Sequence, residues 1–120
     1  MGFVHLHNHT EYSLLVGMSK VKALVARSSH LGMPAVAVTD FGVMSSVPEL
    51  CDECAAYNKK LAKEPSADEP SACAVKPIYG CEIYIHNPLA SMRTNDTGVY
   101  NLVLLAKTNE GYHNLMKIQT

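Results

Sequence analysis

Ala35-Val36-Ala37-Val38-Thr39-Asp40 opens with four consecutive apolar residues, so a strand built from it has no polar face to turn toward water. Such a strand belongs in a parallel sheet covered on both faces, which points to α/β architectures with helices between the strands. The neighbouring residues agree with this. Upstream, Ser19 is a candidate N-cap; Val21, Leu24, Val25, Ser28 and Leu31 form one helical stripe; Gly32 ends the helix and Pro34 prevents its resumption. Downstream, Phe41 to Ser45 reads as a loop. Ser46, Pro48 and Glu49 then mark a helix start, and Leu50, Cys54, Tyr57 and Leu61 line one face of a helix running to about Lys60. Two further strands follow, Val75 to Ile85 and Val99 to Ala106. Thr108 or Asn109 caps a last helix bearing Tyr112, Leu115 and Met116. Strands alternating with helices predict parallel βαβ units throughout.

Between these elements, residues 63–73 carry two prolines and little to bury, and read as a solvated insertion. Residues 86–98 read as another loop. A chain of 120 residues has room for one domain, and 48% apolar with 18% charged residues fits a soluble globular protein. No apolar run reaches the roughly 18 residues of a membrane span, and Met1-Gly2-Phe3 lacks the basic and apolar regions of a signal peptide, so a cytoplasmic location is expected. A net charge of −1 argues against a module that holds nucleic acid by neutralising phosphates; any contact with DNA is expected to come through a larger assembly. Cys51, Cys54, Cys73 and Cys81 are expected to be ordinary reduced thiols rather than a four-thiolate zinc site.

The N-terminal stretch Phe3-Val4-His5-Leu6-His7-Asn8-His9-Thr10 reads as a first strand. At period two, His5, His7 and His9 share one face, with Val4 and Leu6 on the other. Imidazoles at i and i+2 can supply neighbouring ligands to a divalent cation; a polar strand face with solvated histidines is the plainer alternative. Glu82 falls among apolar neighbours and therefore needs a cation, a hydrogen-bond donor or an exposed strand end. In α/β folds the chemistry gathers where strands end, and His7, His9, Asp40, Glu82 and Asn101 all fall on or near such positions.

These residues resemble the PHP family of polymerase and histidinol phosphatase domains, and within it the branch at the N-terminus of the alpha subunits of bacterial C-family replicative polymerases. Four blocks carry the likeness: His5 to Leu15, Leu31 to Asp40, Lys76 to Tyr84, and Leu102 to Lys107 followed by Glu110 to Met116. The Gly80-Cys81-Glu82 and Glu110-Gly111-Tyr112 motifs favour the polymerase branch over free-standing phosphatases. The resemblance implies a distorted seven-stranded β/α barrel holding up to three metals, used elsewhere in the family to cut phosphate esters. His7 and His9 match its first ligand motif and Glu82 a bridging carboxylate, with His5 and Asp40 in supporting positions. Val16, Phe41 and Asn101 stand where the family pattern has ligands. The implied remnant site takes Zn2+, Mn2+ or Mg2+ weakly, or holds no ion.

The expected role is a scaffold segment of a DNA-synthesising chain. Its partners are the remaining domains of the polymerase and the proofreading exonuclease, with DNA reached only through the full polymerase and no membrane involved. An independent metal-dependent phosphoesterase or 3′–5′ exonuclease is the alternative. The family's later ligands fall beyond Thr120, so the chain reads as an incomplete PHP barrel, marginally stable by itself, in which Val16 and Phe41 are expected to fill the cleft.

Overall fold

A computed structural model describes residues 2–63, 72–87 and 98–120. In chain order the elements are α1 (Val21–His30), β1 (Ala35–Val38), α2 (Ser46–Lys63), β2 (Lys76–His86), β3 (Val99–Leu105) and α3 (Asn109–Gln119). The strands form one mixed sheet in the order β1-β2-β3. β1 and β2 are parallel, from Ala35 opposite Lys76 to Val38 opposite Tyr79, as the buried apolar run requires. All four residues of β1 are buried, together with Thr39 and Asp40 beyond its end.

The expectation of parallel strands throughout fails at β3. β2 and β3 are antiparallel, from Gly80 opposite Leu105 to His86 opposite Val99. The ladder carries on past the paired residues, with Asn87 N–H donating to Gly98 C=O at 2.7 Å just beyond His86 and Val99. The expected loop over residues 86–98 lies mostly outside the described residues.

The histidine segment is not a ladder strand either. Ala37 N–H donates to His5 C=O at 3.1 Å and Thr39 N–H to Asn8 C=O at 2.9 Å. Between those bonds β1 advances two residues while the N-terminal segment advances three, as at a bulge. Asn8 fills the break, donating through Nδ2 to Ala37 C=O at 2.9 Å and through its backbone N–H to Thr39 Oγ1 at 3.0 Å. Side-chain bonds of this kind replace ladder bonds and interrupt the period of two. His5 is thereby separated from His7 and His9. It is exposed, with its ring edge-on to Phe3 at 4.7 Å.

One apolar core joins Val21 and Val25 of α1, Val36 and Val38 of β1, Val47, Leu50 and Cys54 of α2, Cys81 of β2 and Leu115 of α3, with Leu24, Tyr57 and Met116 packed against it. Leu31, expected in the α1 stripe, is 53% exposed because it lies in the cap beyond the last turn; the buried Ser29 takes the place, donating through Oγ to Cys73 C=O at 2.6 Å. Ser19 does not cap α1. The cap position is Lys20, with no side-chain bond, while Ser19 C=O accepts from Glu11 N–H at 3.1 Å. Gly32, at φ 69°, ends the helix as expected. Thr108 caps α3, accepting from Gly111 N–H at 3.1 Å. α2 runs three residues beyond the expected end, to Lys63. Most of the expected insertion, residues 64–71, lies outside the described residues. Its far edge is anchored rather than solvated, since Cys73 N–H donates to Ser29 Oγ at 3.2 Å.

Candidate metal centre

Where β1 ends, its backbone continues beside β2 for two more bonds. Glu82 N–H donates to Asp40 C=O at 3.0 Å and Gly42 N–H donates to Glu82 C=O at 2.8 Å. These bonds fix Glu82 in the centre of β2 with its side chain 4% exposed, on the face reached by the N-terminal segment. His7 Nε2 lies 2.7 Å and His9 Nε2 2.5 Å from Glu82 Oε2. The two imidazoles stand 5.2 Å apart at 79° to each other, so both nitrogens converge on the same carboxylate oxygen from different directions. From β3, Asn101 Nδ2 donates to Glu82 Oε1 at 2.8 Å. Glu82 therefore meets the requirement set by its apolar surroundings with three donors. Burial raises its pKa, but the bonds from His7 and His9 and the charges of those rings outweigh burial and leave the carboxyl below its usual range.

His7, His9 and Glu82 each present one ligand atom, all within 4.8 Å of one another, and no other group of three His, Cys, Asp or Glu among the described residues is so arranged. Two imidazole nitrogens and one carboxylate oxygen are a donor set suited to a single divalent ion such as Zn2+ or Mn2+, with further positions open to solvent on the exposed His7 side. The residues present thus fit one ion.

The remaining sequence candidates are placed differently. Asp40 is fully buried and belongs to a separate network, accepting at Oδ1 from Thr10 N–H and Ser13 Oγ, both at 2.6 Å, and at Oδ2 from Thr10 Oγ1 at 2.8 Å and from Ser46 Oγ. It holds the chain one residue beyond His9, and its carbonyl holds Glu82, so it supports the centre through backbone. Ser46 begins α2 but spends its hydroxyl on this carboxylate. His5 makes no contact of this kind with the centre. Phe41 lies beside it, its ring packed on Tyr84 at 4.5 Å and 6.4 Å from that of His9, an apolar wall rather than a ligand. Val16 is 61% exposed in a loop where Leu14, Leu15 and Met18 are also exposed, so it does not fill the cleft as expected. The loop is held instead by Ser13, and packing beside the metal position comes from Phe41 alone of the two.

Asn101 was legible as a position without a ligand but not as a donor to Glu82. The missing signal is the antiparallel register, which puts Asn101 opposite Tyr84 and diagonal to Glu82. The cysteines are four free thiols, as expected. Burial, reinforced by Cys51 and Glu53, pushes the Cys54 thiol up to about 11. None of the helices among the described residues is long and apolar enough to cross a membrane.

Comparison with known proteins gives the arrangement a family. The PHP domain model matches residues 5–120. The DNA polymerase III subunit alpha of Helicobacter pylori is 42% identical over 116 residues, covering 95% of this chain and 8% of that protein. The subunit alpha of Treponema pallidum is 36% identical over 123 residues, covering 100% and 9%. That of Mycobacterium tuberculosis is 34% identical over 135 residues, covering 98% and 10%. The chain spans a tenth or less of the length of these curated relatives. With the family model matching from His5 to the last residue, across the paired histidines and the strand that carries Glu82, the chain belongs to the PHP domain family.

Proposed function

We propose that this chain serves as the N-terminal PHP portion of a DNA polymerase III alpha polypeptide in DNA replication, as a scaffold whose metal centre is reduced to one weak site. The observation that carries this reading is the likeness, along 95–100% of this chain, to subunits ten or more times its size, in a chain whose described residues bring together His7, His9 and Glu82 and no further ligand. The mixed sheet and three helices are, on this reading, part of a distorted seven-stranded barrel, with residues 1–120 the first portion of that domain and residues 63–73 lying around an insertion. The partners are the following domains of the same polypeptide and the proofreading exonuclease. DNA is engaged through the whole polymerase, and the setting is the cytoplasm.

A bound divalent ion would supply a Lewis acid for a phosphoryl oxygen and a bound water of lowered pKa. His7, His9 and Glu82 would hold it, and Phe41 lines the position beside them without offering a ligand. Val16, Phe41 and Asn101, none of them a ligand here, stand where the family pattern has ligands, and this favours a scaffold over a phosphoesterase. The convergence of His7 and His9 on Glu82 is the observation that favours the alternative, a metal-dependent phosphoesterase or 3′–5′ exonuclease.

The two readings separate in the natural full-length polypeptide. As a scaffold, Glu82→Gln leaves primer extension within about twofold of wild type, a change smaller than the tenfold that 1.4 kcal/mol confers, whereas deletion of residues 2–120 abolishes it. Metal-stimulated release of nucleotide from a DNA 3′ end, lost in Glu82→Gln, would overturn the scaffold reading.

A further inference from the structure

We propose that Asn101 is a positioning residue that holds Oε1 of Glu82 and thereby aims Oε2 at the two imidazoles. The inference rests on the metal-centre reading of His7, His9 and Glu82 and adds to it the role of a fourth side chain.

The argument begins with the sheet. In the antiparallel pairing Glu82 stands opposite Val103 and Tyr84 opposite Asn101, so Asn101 and Val103 share the face of the sheet that carries Glu82. A diagonal neighbour lies about 7–8 Å away between backbones, a span that an asparagine and a glutamate side chain bridge. They do bridge it: Asn101 Nδ2 donates to Glu82 Oε1 at 2.8 Å. Both imidazoles address the other oxygen, His7 Nε2 at 2.7 Å and His9 Nε2 at 2.5 Å from Oε2. The partition is complete, with the amide on one oxygen and the two nitrogen ligands on the other.

The amide fixes the carboxylate rotamer, so Oε2 faces the imidazoles before any ion arrives, and one carboxylate oxygen beside two imidazole nitrogens is the donor set of a zinc-like ion. Partners of this kind, which hold a ligand without touching the metal, are worth about 10–100-fold in metal affinity. Asn101 sits at an exposed position of β3, outside the apolar core, so it can be replaced without disturbing the fold.

The test is calorimetric titration of Zn2+ into the full chain, paired with the visible absorption of Co2+ bound in the same place. Wild type is expected to take one Zn2+, and Glu82→Gln to lose it. Asn101→Leu, which keeps the bulk and removes the donor, is expected to weaken Zn2+ by about tenfold with the stoichiometry still one. Its Co2+ absorption is expected to weaken, because a freed carboxylate adds its second oxygen and raises the coordination number; a merely structural role for Asn101 leaves that spectrum unchanged. Asn101→Ser, whose hydroxyl is too short to reach Oε1, repeats the result in a smaller side chain, and circular dichroism confirms that both variants are folded. Equal affinity and an unchanged Co2+ spectrum in both variants overturn the role of Asn101 and leave the metal centre standing. Wild type that takes no Zn2+ overturns the proposal together with the metal-centre reading beneath it, and identifies that reading as the one at fault.

Discussion

Replacing Asp40 should cost more stability than replacing any ligand of the metal centre. Its carboxylate is fully buried and accepts four hydrogen bonds, from Thr10 N–H, Thr10 Oγ1, Ser13 Oγ and Ser46 Oγ, which fills the acceptor sites of its two oxygens. Those donors come from the loop after His9 and from the first residue of α2, so one side chain ties both to the end of β1. Hydrogen bonds to a charged group contribute about 1.5–3 kcal/mol each, but three of these donors are hydroxyls that can turn elsewhere. The Thr10 N–H cannot. Counting that bond in full and the hydroxyls in part gives about 4 kcal/mol for Asp40→Ala. In a chain of this size that is a fall in Tm of about 15 °C. Asp40→Asn is gentler: its oxygen serves Thr10 N–H and Ser13, and its amide donates to the Thr10 and Ser46 hydroxyls once they rotate. About 1–2 kcal/mol is expected, the loss of charge on the acceptor. Urea unfolding followed by circular dichroism, with the denaturant slope unchanged, measures both. An Asp40→Ala loss under about 1 kcal/mol, or an Asn variant less stable than the Ala variant, would refute the reasoning.

Four further outcomes are expected. Gly80→Ala should destabilise by about 2–3 kcal/mol in the same assay, in the range for overpacking a well-filled site, because its Cβ would meet Leu104 C=O at 2.6 Å and Thr39 Cγ2 at 2.9 Å. Thiol labelling of the native chain near pH 8 should modify the exposed Cys51 quickly and the buried Cys54 and Cys81 only on unfolding. The Cys54 thiol also sets an alkaline limit. Its folded value of about 11 lies above the ordinary 9.0, so the unfolded chain releases its proton first, and stability falls as pH rises from about 9 toward 11, an effect that Cys54→Ala should remove from the pH profile. Chelation should lower Tm by no more than about 5 °C, the equivalent of about 1.4 kcal/mol for an ion present at ten times its dissociation constant, because hydrogen bonds from His7, His9 and Asn101 hold Glu82 without a metal. A drop of many degrees would show that the ion, rather than these bonds, holds the centre together.

What the sequence determined by itself are the features that depend on neighbours along the chain. The apolar run Ala35–Val38 specified a buried strand paired in parallel, because no other environment accepts two apolar faces. Helical stripes and glycine placed α1, α2 and α3 to within a few residues. The apolar surroundings of Glu82 stated that a donor or cation must meet it, and His7 and His9 were legible as its partners once the family blocks were assembled. Tertiary structure decided whatever depends on register. Asn8 breaks the period of two and sends His5 away from its two companions, a consequence of side-chain bonds to β1 that alternation along the segment cannot show. Val16 and Phe41 looked equivalent as apolar replacements, yet one faces solvent and the other lines the centre, because a loop turns its side chains by its own hydrogen bonds rather than by a period. The direction of β3 was the largest such decision. Apolar content alone does not distinguish a strand that returns beside β2 from one that crosses over, and only the antiparallel register brings Asn101 onto Glu82, because which side chains meet across two strands is fixed by pairing and not by the order of residues in either one.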